Sequence, residues 1–261
     1  MALLADMRFY AALVATSIKS SMSVKGAFIV EALLMLVNNL IFFMLWWLFF
    51  RQFQNIGGWE FKDMMALMAI GSGAYGIMLV FFGGVRFMSR TIATGELDAF
   101  MTQPKSLLFH LAGSRSHARG WGDIATMLLF ILCGGLHREA PLIFLGAITG
   151  SLVFSSMGII AHSLSFWLGP IENLAKQYCD SLVVFSLYPQ NIYSGFFKLL
   201  MFTAIPAGVI GLLPVELIKH FSWTSLASLL AVVFLFCITA WSLFQLGLRR
   251  YESGNQFISR A

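Results

Sequence analysis

The stretch that decides the fold is FIVEALLMLVNNLIFFMLWWLFF, residues 28–50, in which Glu31 is the one charged residue. A helix rises about 1.5 Å per residue, so about 20 apolar residues cross the roughly 30 Å hydrocarbon core of a bilayer. Apolar residues make up 59% of the chain and charged residues 11%, whereas globular chains carry about 25% charged residues. The sequence therefore predicts an all-α polytopic membrane protein without a sizeable soluble domain.

Apolar runs of this kind predict six membrane spans. Their limits are residues 28–50, about 64–85, about 123 or earlier to about 136, about 141–168, a fifth within 182–213, and about 223–246. Apolar residues within 1–27 are interspersed with Arg8, Ser17 and Lys19, which suits an amphipathic helix along the membrane interface. We expect a single transmembrane domain over 1–261, with a cytoplasmic loop at 86–122 and a cytoplasmic tail at 247–261.

The basic residues predict the side of the membrane on which each loop lies. With six spans and an inner N-terminus, the cytoplasmic segments hold twelve Lys and Arg residues: Arg8, Lys19, Lys25, Arg86, Arg90, Lys105, Arg115, Arg119, Lys176, Arg249, Arg250 and Arg260. The outer segments then hold four, Arg51, Lys62, Arg138 and Lys219. Cytoplasmic loops carry an excess of Lys and Arg, so both termini are predicted to be cytoplasmic. This orientation explains the net charge of +5, and we expect no nucleic-acid partner.

The fifth region does not read as one continuous helix. Pro189 follows a short apolar stretch, and Pro206 lies inside the next one, 196–213. We expect a cytoplasmic or interfacial helix over 172–188, with its entry into the bilayer left open, and then a kinked span to residue 213. Non-helical backbone at membrane depth is tolerated only against protein or a water-filled cavity. The region, with Tyr188 and Pro189 at its break, is therefore a candidate lining for a pathway.

The second predicted cytoplasmic segment contains GELDAFMTQP, residues 95–104. Gly95 can end one element and Pro104 another, which leaves a helix of about two turns between them. Glu96 and Asp98 lie near the start of this helix, where the helix dipole favours acidic side chains.

Three apolar residues of this short helix share one face. Spaced at i, i+3 and i+4, they are Leu97, Phe100 and Met101. A short helix with an apolar stripe fits a groove in another protein, but the same stripe could pack against the bilayer or its own chain. The spacing alone does not decide between these alternatives.

The motif G-E-L-D-x-x-x-x-x-P resembles the cytoplasmic loop of ABC-2 type permeases, the membrane subunits of ATP-driven exporters. The family pattern usually reads G-x-L-(D/E)-x-L-L-x-x-P, and Phe100 and Met101 replace its pair of leucines. Two further parts of the chain are similar to a poorly characterised six-span ABC-2 subgroup. One is the ending from Trp241 through L-R-R-Y-E-S at 248–253, and the other is the spacing of Tyr188, Pro189, Pro206 and Pro214. The similarity extends over nearly the whole chain.

The resemblance implies the ABC-2 (type V exporter-like) fold and a transport subunit that is not itself an enzyme. Two permease subunits, identical or paralogous, would pair to form the pathway in a bacterial cytoplasmic (inner) membrane, surrounded by lipids. Two ABC ATPase subunits would dock beneath them and bind ATP-Mg, while this chain binds no cofactor. The sequence agrees, because it contains no G-x-x-x-x-G-K-[ST] phosphate loop.

The same resemblance assigns the helix within 95–104 as the coupling helix that sits in a cleft of the ATPase. Leu97, Phe100 and Met101 would be its apolar contacts, with Glu96 and Asp98 at the polar rim. Aspartate in place of Phe100 or Met101 is then expected to leave the protein inserted but uncoupled, because it buries an unpaired charge.

Polar residues inside the predicted spans are candidates for a pathway or for contacts between helices. Glu31 lies about one turn into the first span, facing either the headgroups or a pathway or partner. Asn38 and Asn39 lie deeper and need hydrogen-bond partners, which a neighbouring helix usually supplies. His162, towards the inner end of the fourth span, is either a packing residue or a proton relay.

Small residues are concentrated in the second predicted span. Gly71, Gly73 and Gly76 lie there with Ser72. Small side chains let helix backbones approach closely, so we expect helix packing here, with a substrate groove as the alternative.

Other functional classes find less support in the sequence. An intramembrane enzyme would need a motif such as H-E-x-x-H or G-x-S-x-G, and the sequence contains neither. An ion-coupled secondary transporter would want several intramembrane acids and an inverted repeat, and no clear repeat is present. This class and a non-transporting scaffold are the alternatives to an exporter permease. The sequence does not predict the substrate, and import is disfavoured because the outer loops are short.

Overall fold

The computed structural model describes residues 2–53, 55, 58–103, 106–189 and 195–252 of the chain. Regular structure in these ranges is helical throughout, as predicted. The α-helices are α1 (Ala2–Ser21), α2 (Lys25–Gln52), α3 (Phe61–Phe81), α4 (Met88–Ala93), α5 (Leu97–Met101), α6 (Leu107–Gly113), α7 (Ala118–Cys133), α8 (Ala140–Ser163), α9 (Ser165–Leu168), α10 (Glu172–Ser186), α11 (Gly195–Leu200), α12 (Leu213–Lys219) and α13 (Trp223–Leu248). A 3₁₀-helix at Gly83–Phe87 precedes α4, and a π-helical turn at Gly208–Leu212 precedes α12.

Four helices of the described residues are long and apolar enough to cross a membrane. They are α2, α3, α8 continued by α9 to Leu168, and α13, with 28, 21, 29 and 26 residues. Even the shortest extends about 31 Å, enough for the hydrocarbon core. They correspond to the first, second, fourth and sixth predicted spans, so those four predictions are confirmed as helices of spanning length.

The long helices are arranged as a row with α3 and α8 at its centre. The contacts run from α2 to α7, from α7 to α3, from α3 to α8, and from α8 to α13. In the most apolar windows, 78% of α3 and 72% of α8 are buried, against 6% of α2 and 17% of α13. The central helices therefore form the core, and the outer two present apolar faces to lipid or to other chains.

Glycines let the central helices approach closely, as predicted for the second span. Gly76 of α3 lies against Gly120 of α7, and a Cβ on either would come within 2.7 Å of the other's carbonyl oxygen. Gly73 lies against Met127 of α7, and Gly71 faces Leu187, just beyond α10. Packing between helices accounts for Gly73 and Gly76, whereas Gly71 also lines a cavity between α2, α3, α7 and α10.

The third predicted span corresponds to α7. It begins at Ala118, before Asp123, and ends at Cys133, short of the predicted limit at Leu136. Its 16 residues extend only about 24 Å, but α2 and α3 pack against it on two sides. Because α7 is shorter than the roughly 30 Å hydrocarbon core, it is not among the described helices of spanning length, and the third span stays a prediction.

The fifth region is divided into two helical halves, as its proline residues suggested. Cys179 of α10 lies beside Gly158 near the end of α8, and Leu187 reaches Gly71 at the midpoint of α3. α10 therefore packs along α8 and reaches the midpoint of α3, while its entry into the bilayer stays a prediction. Residues 190–194, within the predicted fifth span, lie outside the described residues.

The second half of this region, the π-helical turn and α12, begins beside the end of α10. Gly211 in the π-helical turn lies against the carbonyl oxygen of Ser186, and α12 then runs to Lys219. The Lys219 Nζ pairs with the Asp63 carboxylate at 2.8 Å, at the start of α3. Together the two halves extend along the whole length of α3.

The first helix lies against the end of the bundle at which α3 finishes. The Tyr10 hydroxyl donates a hydrogen bond to the Phe81 carbonyl oxygen at 2.7 Å. The Ser17 hydroxyl donates to the Gly113 carbonyl oxygen at 2.9 Å, which ties α1 to α6. These contacts fix α1 to the same end as α4, α5 and α6.

Candidate functional site

A short helix lies where the sequence predicted the coupling helix. Gly95 has φ of 77°, in the left-handed region that favours glycine, and this turn separates α4 from α5. The helix itself has five residues, Leu97–Met101. Pro104, the predicted end of the segment, lies outside the described residues.

We expect Gly95→Ala to lower the stability of this end of the bundle by about 1 kcal/mol, because a Cβ disfavours the left-handed conformation. The midpoint of thermal unfolding in detergent measures the loss. Gly26→Ala is a matched control, since Gly26 lies in a helix with open space around it. Equal midpoints for the two variants would contradict the role assigned to this turn.

The apolar stripe of α5 is divided between the interior and the surface. Leu97 is fully buried in a cluster that includes Val85, Ile92 and Phe244, so it contacts its own chain. The ring of Phe100 is half-buried and meets His110 edge-to-face, with the centroids 4.8 Å apart. In the described structure Leu97 is thus covered by its own chain and Phe100 partly so, while their contact with a partner stays a prediction.

The surface of α5 consists of different residues. Met101 is 50% exposed, and Glu96 and Ala99 are also exposed. Thr102 and Gln103 continue this surface beyond the helix. A partner on the exposed surface of α5 would meet Met101 as its large apolar side chain, surrounded by mostly polar residues.

The chain's C-terminal motif supports α5 from behind. The Tyr251 ring packs edge-to-face on Phe166 of α9, with the centroids 6.2 Å apart. Burial and the neighbouring carboxylate of Asp98 raise the pKa of Tyr251 to about 12. The segment after α13 therefore lies between α9 and α5, which connects the predicted coupling helix to the last long helix.

A second polar group lies between α2 and α7. The Asn39 Nδ2 donates hydrogen bonds to the Asp123 Oδ1 at 2.7 Å and to the Thr126 Oγ1 at 3.1 Å. The Asp123 side chain is 1% exposed, and its Oδ2 has no hydrogen-bond partner among the described residues. Asn39 thus finds the helix contact that the sequence predicted, and Asp123 is a buried carboxylate that sequence reasoning missed.

Asp123 lines a cavity of about 300 Å³ between α2, α3, α7 and α10, which we call the Asp123 cavity. Asn38, Asn39, Ser72 and Tyr75 supply its other polar lining, and the remaining walls are mostly apolar. Asn38 is exposed at the rim, so the cavity opens between α2 and α10.

Residues 35–255 match the family described as ABC-2 family transporter protein. The chain belongs to this family. It is a multi-pass transmembrane permease of the ABC transporter class, and its role is transport. No curated protein and no solved structure matches the chain.

A hydrogen-bond and ion-pair network in the permease extends from the Asp123 cavity towards the α5 end. The Tyr75 hydroxyl accepts a hydrogen bond from the Arg86 Nη1 at 2.7 Å, and the Arg86 Nη2 binds the Asp180 Oδ1 at 3.0 Å. This network joins α3, the 3₁₀-helix and α10. The charge of Arg86 is therefore matched by Asp180 and not by Asp123.

His162 of the permease lies in a buried hydroxyl cluster. Its Nδ1 is 2.9 Å from the Ser89 Oγ, and the Ser165 hydroxyl donates to the same oxygen at 2.8 Å. The His162 side chain is fully buried and joins α8 to α4. This geometry favours the packing role over a proton relay.

The remaining predicted pathway residues occupy separate positions. Glu31 is exposed on α2 and does not line the Asp123 cavity. Tyr188 packs edge-to-face on Phe42 and Trp46 of α2, and Pro189 is buried beside it. These two hold the end of α10 against α2 rather than lining the cavity themselves.

Ion pairs hold the opposite end of the permease. The Lys62 Nζ pairs with the Glu139 Oε1 at 2.6 Å, which joins α3 to the start of α8 and lowers the pKa of Glu139. Within the described residues, no group of three or more His, Cys, Asp or Glu side chains could hold a metal ion.

Proposed function

We propose that this chain is the membrane subunit of an ATP-driven exporter, in which two permease copies form the pathway and two ATPase subunits supply the energy. The observation that carries the proposal is the family match over residues 35–255. ATP-Mg is bound by the ATPases, and the permease performs no catalysis of its own. The location is the bacterial cytoplasmic membrane.

We infer six crossings from the four long helices, α7 and the divided fifth region. α10 packs along the C-terminal half of α3, from about Gly71 onward. The segment from Gly211 to Lys219 packs along the N-terminal half, where Lys219 pairs with Asp63. The non-helical backbone described at 201–206 is tolerated because it lies against protein, with Met201 and Pro206 buried. Both termini then emerge on the same side.

The distribution of charge supports an inner location for the α5 end. Arg86, Arg90 and Arg115 lie in or beside the short helices there, and Lys176 lies on α10 at the same end. At the opposite end Lys62 and Lys219 are paired with acids. Cytoplasmic segments carry an excess of Lys and Arg, so this end belongs in the cytoplasm and α5 faces the ATPases.

The ATPase contact is the exposed surface of α5. Met101 supplies its apolar centre, and Glu96 and Gln103 supply a polar rim. An apolar centre within a polar rim is the usual anatomy of a protein interface. Leu97 and Tyr251 carry motion of this surface to α13, because both pack at its end.

The second permease copy, identical or paralogous, fits the exposed side of α2. One stripe of this helix is about half or more exposed along its length: Leu34, Val37, Ile41, Leu45 and Leu48. The spacing of three and four residues is that of a helix-packing seam. The Asp123 cavity opens beside this stripe, which would place it next to the shared pathway.

The test is a mild-detergent pull-down of the tagged chain from its native membrane, followed by mass spectrometry. A co-purifying soluble ATPase is expected, and a second permease species would identify a heterodimer. A preparation of this chain alone, under conditions that preserve a known exporter complex, would overturn the proposal and favour an ion-coupled transporter or a scaffold.

A further inference from the structure

The carboxylate of Asp123 has one side occupied and one side free. Its Oδ1 accepts the hydrogen bond from Asn39 at 2.7 Å. Its Oδ2 is buried without a hydrogen-bond partner among the residues that the structure describes. An unpaired buried carboxylate is costly, so this oxygen is a site at which a donor group would be strongly favoured.

No basic side chain of the described residues forms an ion pair with Asp123. The charge of Arg86, the basic residue that bonds Tyr75 in the cavity wall, is matched by Asp180. Among the described residues, then, no basic group compensates an ionised Asp123, so a cation from outside them would be favoured beside its carboxylate.

The walls of the Asp123 cavity indicate what kind of cation it would be. The aromatic rings of Phe42 and Tyr75 line it, and rings attract cations through their faces. The remaining lining is mostly apolar, including Ile41, Leu45 and Leu187. A bare inorganic cation would gain little from such walls, whereas an ammonium on an apolar body matches both parts.

Size and access agree with a ligand of this kind. A cavity of about 300 Å³ is at the small end of the range for ligand sites, so it would hold a head group and a short apolar segment. The rim between α2 and α10 is exposed at Ile41 and Val184. The apolar tail of a longer ligand would extend out of the cavity through this opening.

We propose that the Asp123 cavity binds the protonated amine of an amphipathic substrate, with the ammonium donating to the Asp123 Oδ2. Asn39 is the positioning residue that holds the carboxylate in this orientation. This proposal rests on the transport function proposed above, because the bound amine is a substrate only if the chain transports it. The binding itself is a property of the cavity and is tested without ATP.

The test uses the complex as it co-purifies, in lipid nanodiscs, with octylamine carrying a fluorophore at the far end of its chain. Octanol carrying the same fluorophore is the neutral counterpart, and fluorescence anisotropy reports the affinity of each. Wild type is expected to bind the amine about tenfold or more tightly than the alcohol, as loss of a buried charge pair predicts. Asp123→Asn should remove this preference and leave alcohol binding unchanged.

Glu31→Gln is the matched control, because it removes an exposed carboxylate from the same side of the bundle. It should bind both probes as wild type does. Equal affinity of wild type for amine and alcohol would overturn the site without any variant, even if Asp123→Asn does not fold. Displacement of the amine by excess sodium chloride but not by choline chloride would identify an inorganic cation site instead and overturn the proposal.

These outcomes are separate from those of the export proposal. Absence of an ATPase from the purified sample would contradict the exporter, while binding of the amine could still be measured. A complex that hydrolyses ATP but shows no amine preference would remove the substrate class and leave the exporter assignment in place.

Discussion

Gly122→Val is expected to release α2 from the rest of the permease. A Cβ at Gly122 would overlap the carbonyl oxygen of Ala32, where α7 and α2 cross. The next residue, Asp123, accepts the hydrogen bond from Asn39, so separation of the helices also breaks this buried contact. We expect a loss of roughly 3–5 kcal/mol from overpacking and the lost charged hydrogen bond together. The midpoint of thermal unfolding in detergent measures it.

Gly26→Val is the control for this variant. Gly26 also lies in α2, but a Cβ there meets nothing within 4 Å. Its midpoint should change little, because substitutions at open surface positions usually have small effects. If both variants unfold at the same temperature, the crossing of α2 and α7 is not the contact that holds α2.

The length and apolar character of the long runs were enough to predict four of the spans. The structure extends the first from residues 28–50 to Lys25–Gln52, since a helix ends where its caps lie and not where its apolar residues end. The close packing of Gly71, Gly73 and Gly76 was also predictable, because small residues in a membrane helix have few other uses.

The coupling helix shows what residue spacing cannot predict. Leu97, Phe100 and Met101 were correctly placed on one helix, but spacing does not reveal what covers each side chain. Phe244, which is distant in the sequence, packs in the cluster that buries Leu97. His110, which no sequence pattern singles out, packs against Phe100. Of the three, Met101 is the most exposed in the described structure, and which of them contacts a partner stays a prediction.

Asp123 was missed for a similar reason. An acid at the start of an apolar run looks the same whether it faces solvent or lies inside the bundle. Its position is determined by α2, whose Asn39 is 84 residues away in the chain. The available signal was the pair itself, because an amide and a carboxylate in two apolar segments both need partners.

Met101→Asp is expected to separate the permease from its ATPase without unfolding it. Met101 is 50% exposed and is the apolar residue at the centre of the α5 surface. In the free permease the new carboxylate stays in water, so stability should change by about 0.5 kcal/mol or less. In the complex it would be buried without a partner, and we expect ATPase binding to weaken by about 2 kcal/mol or more, about thirtyfold. Co-purification and ATP-driven transport measure this loss.

Two further variants decide whether the effect comes from the contact. Met101→Leu keeps an apolar side chain of similar size and should bind the ATPase as wild type does. Phe100→Asp places a charge against the buried ring of His110, so it should lower the unfolding midpoint as well as coupling. Full ATPase binding by a folded Met101→Asp protein would show that the exposed surface of α5 is not the joint. The resemblance of residues 95–104 to a coupling loop would then describe a structural turn in this permease.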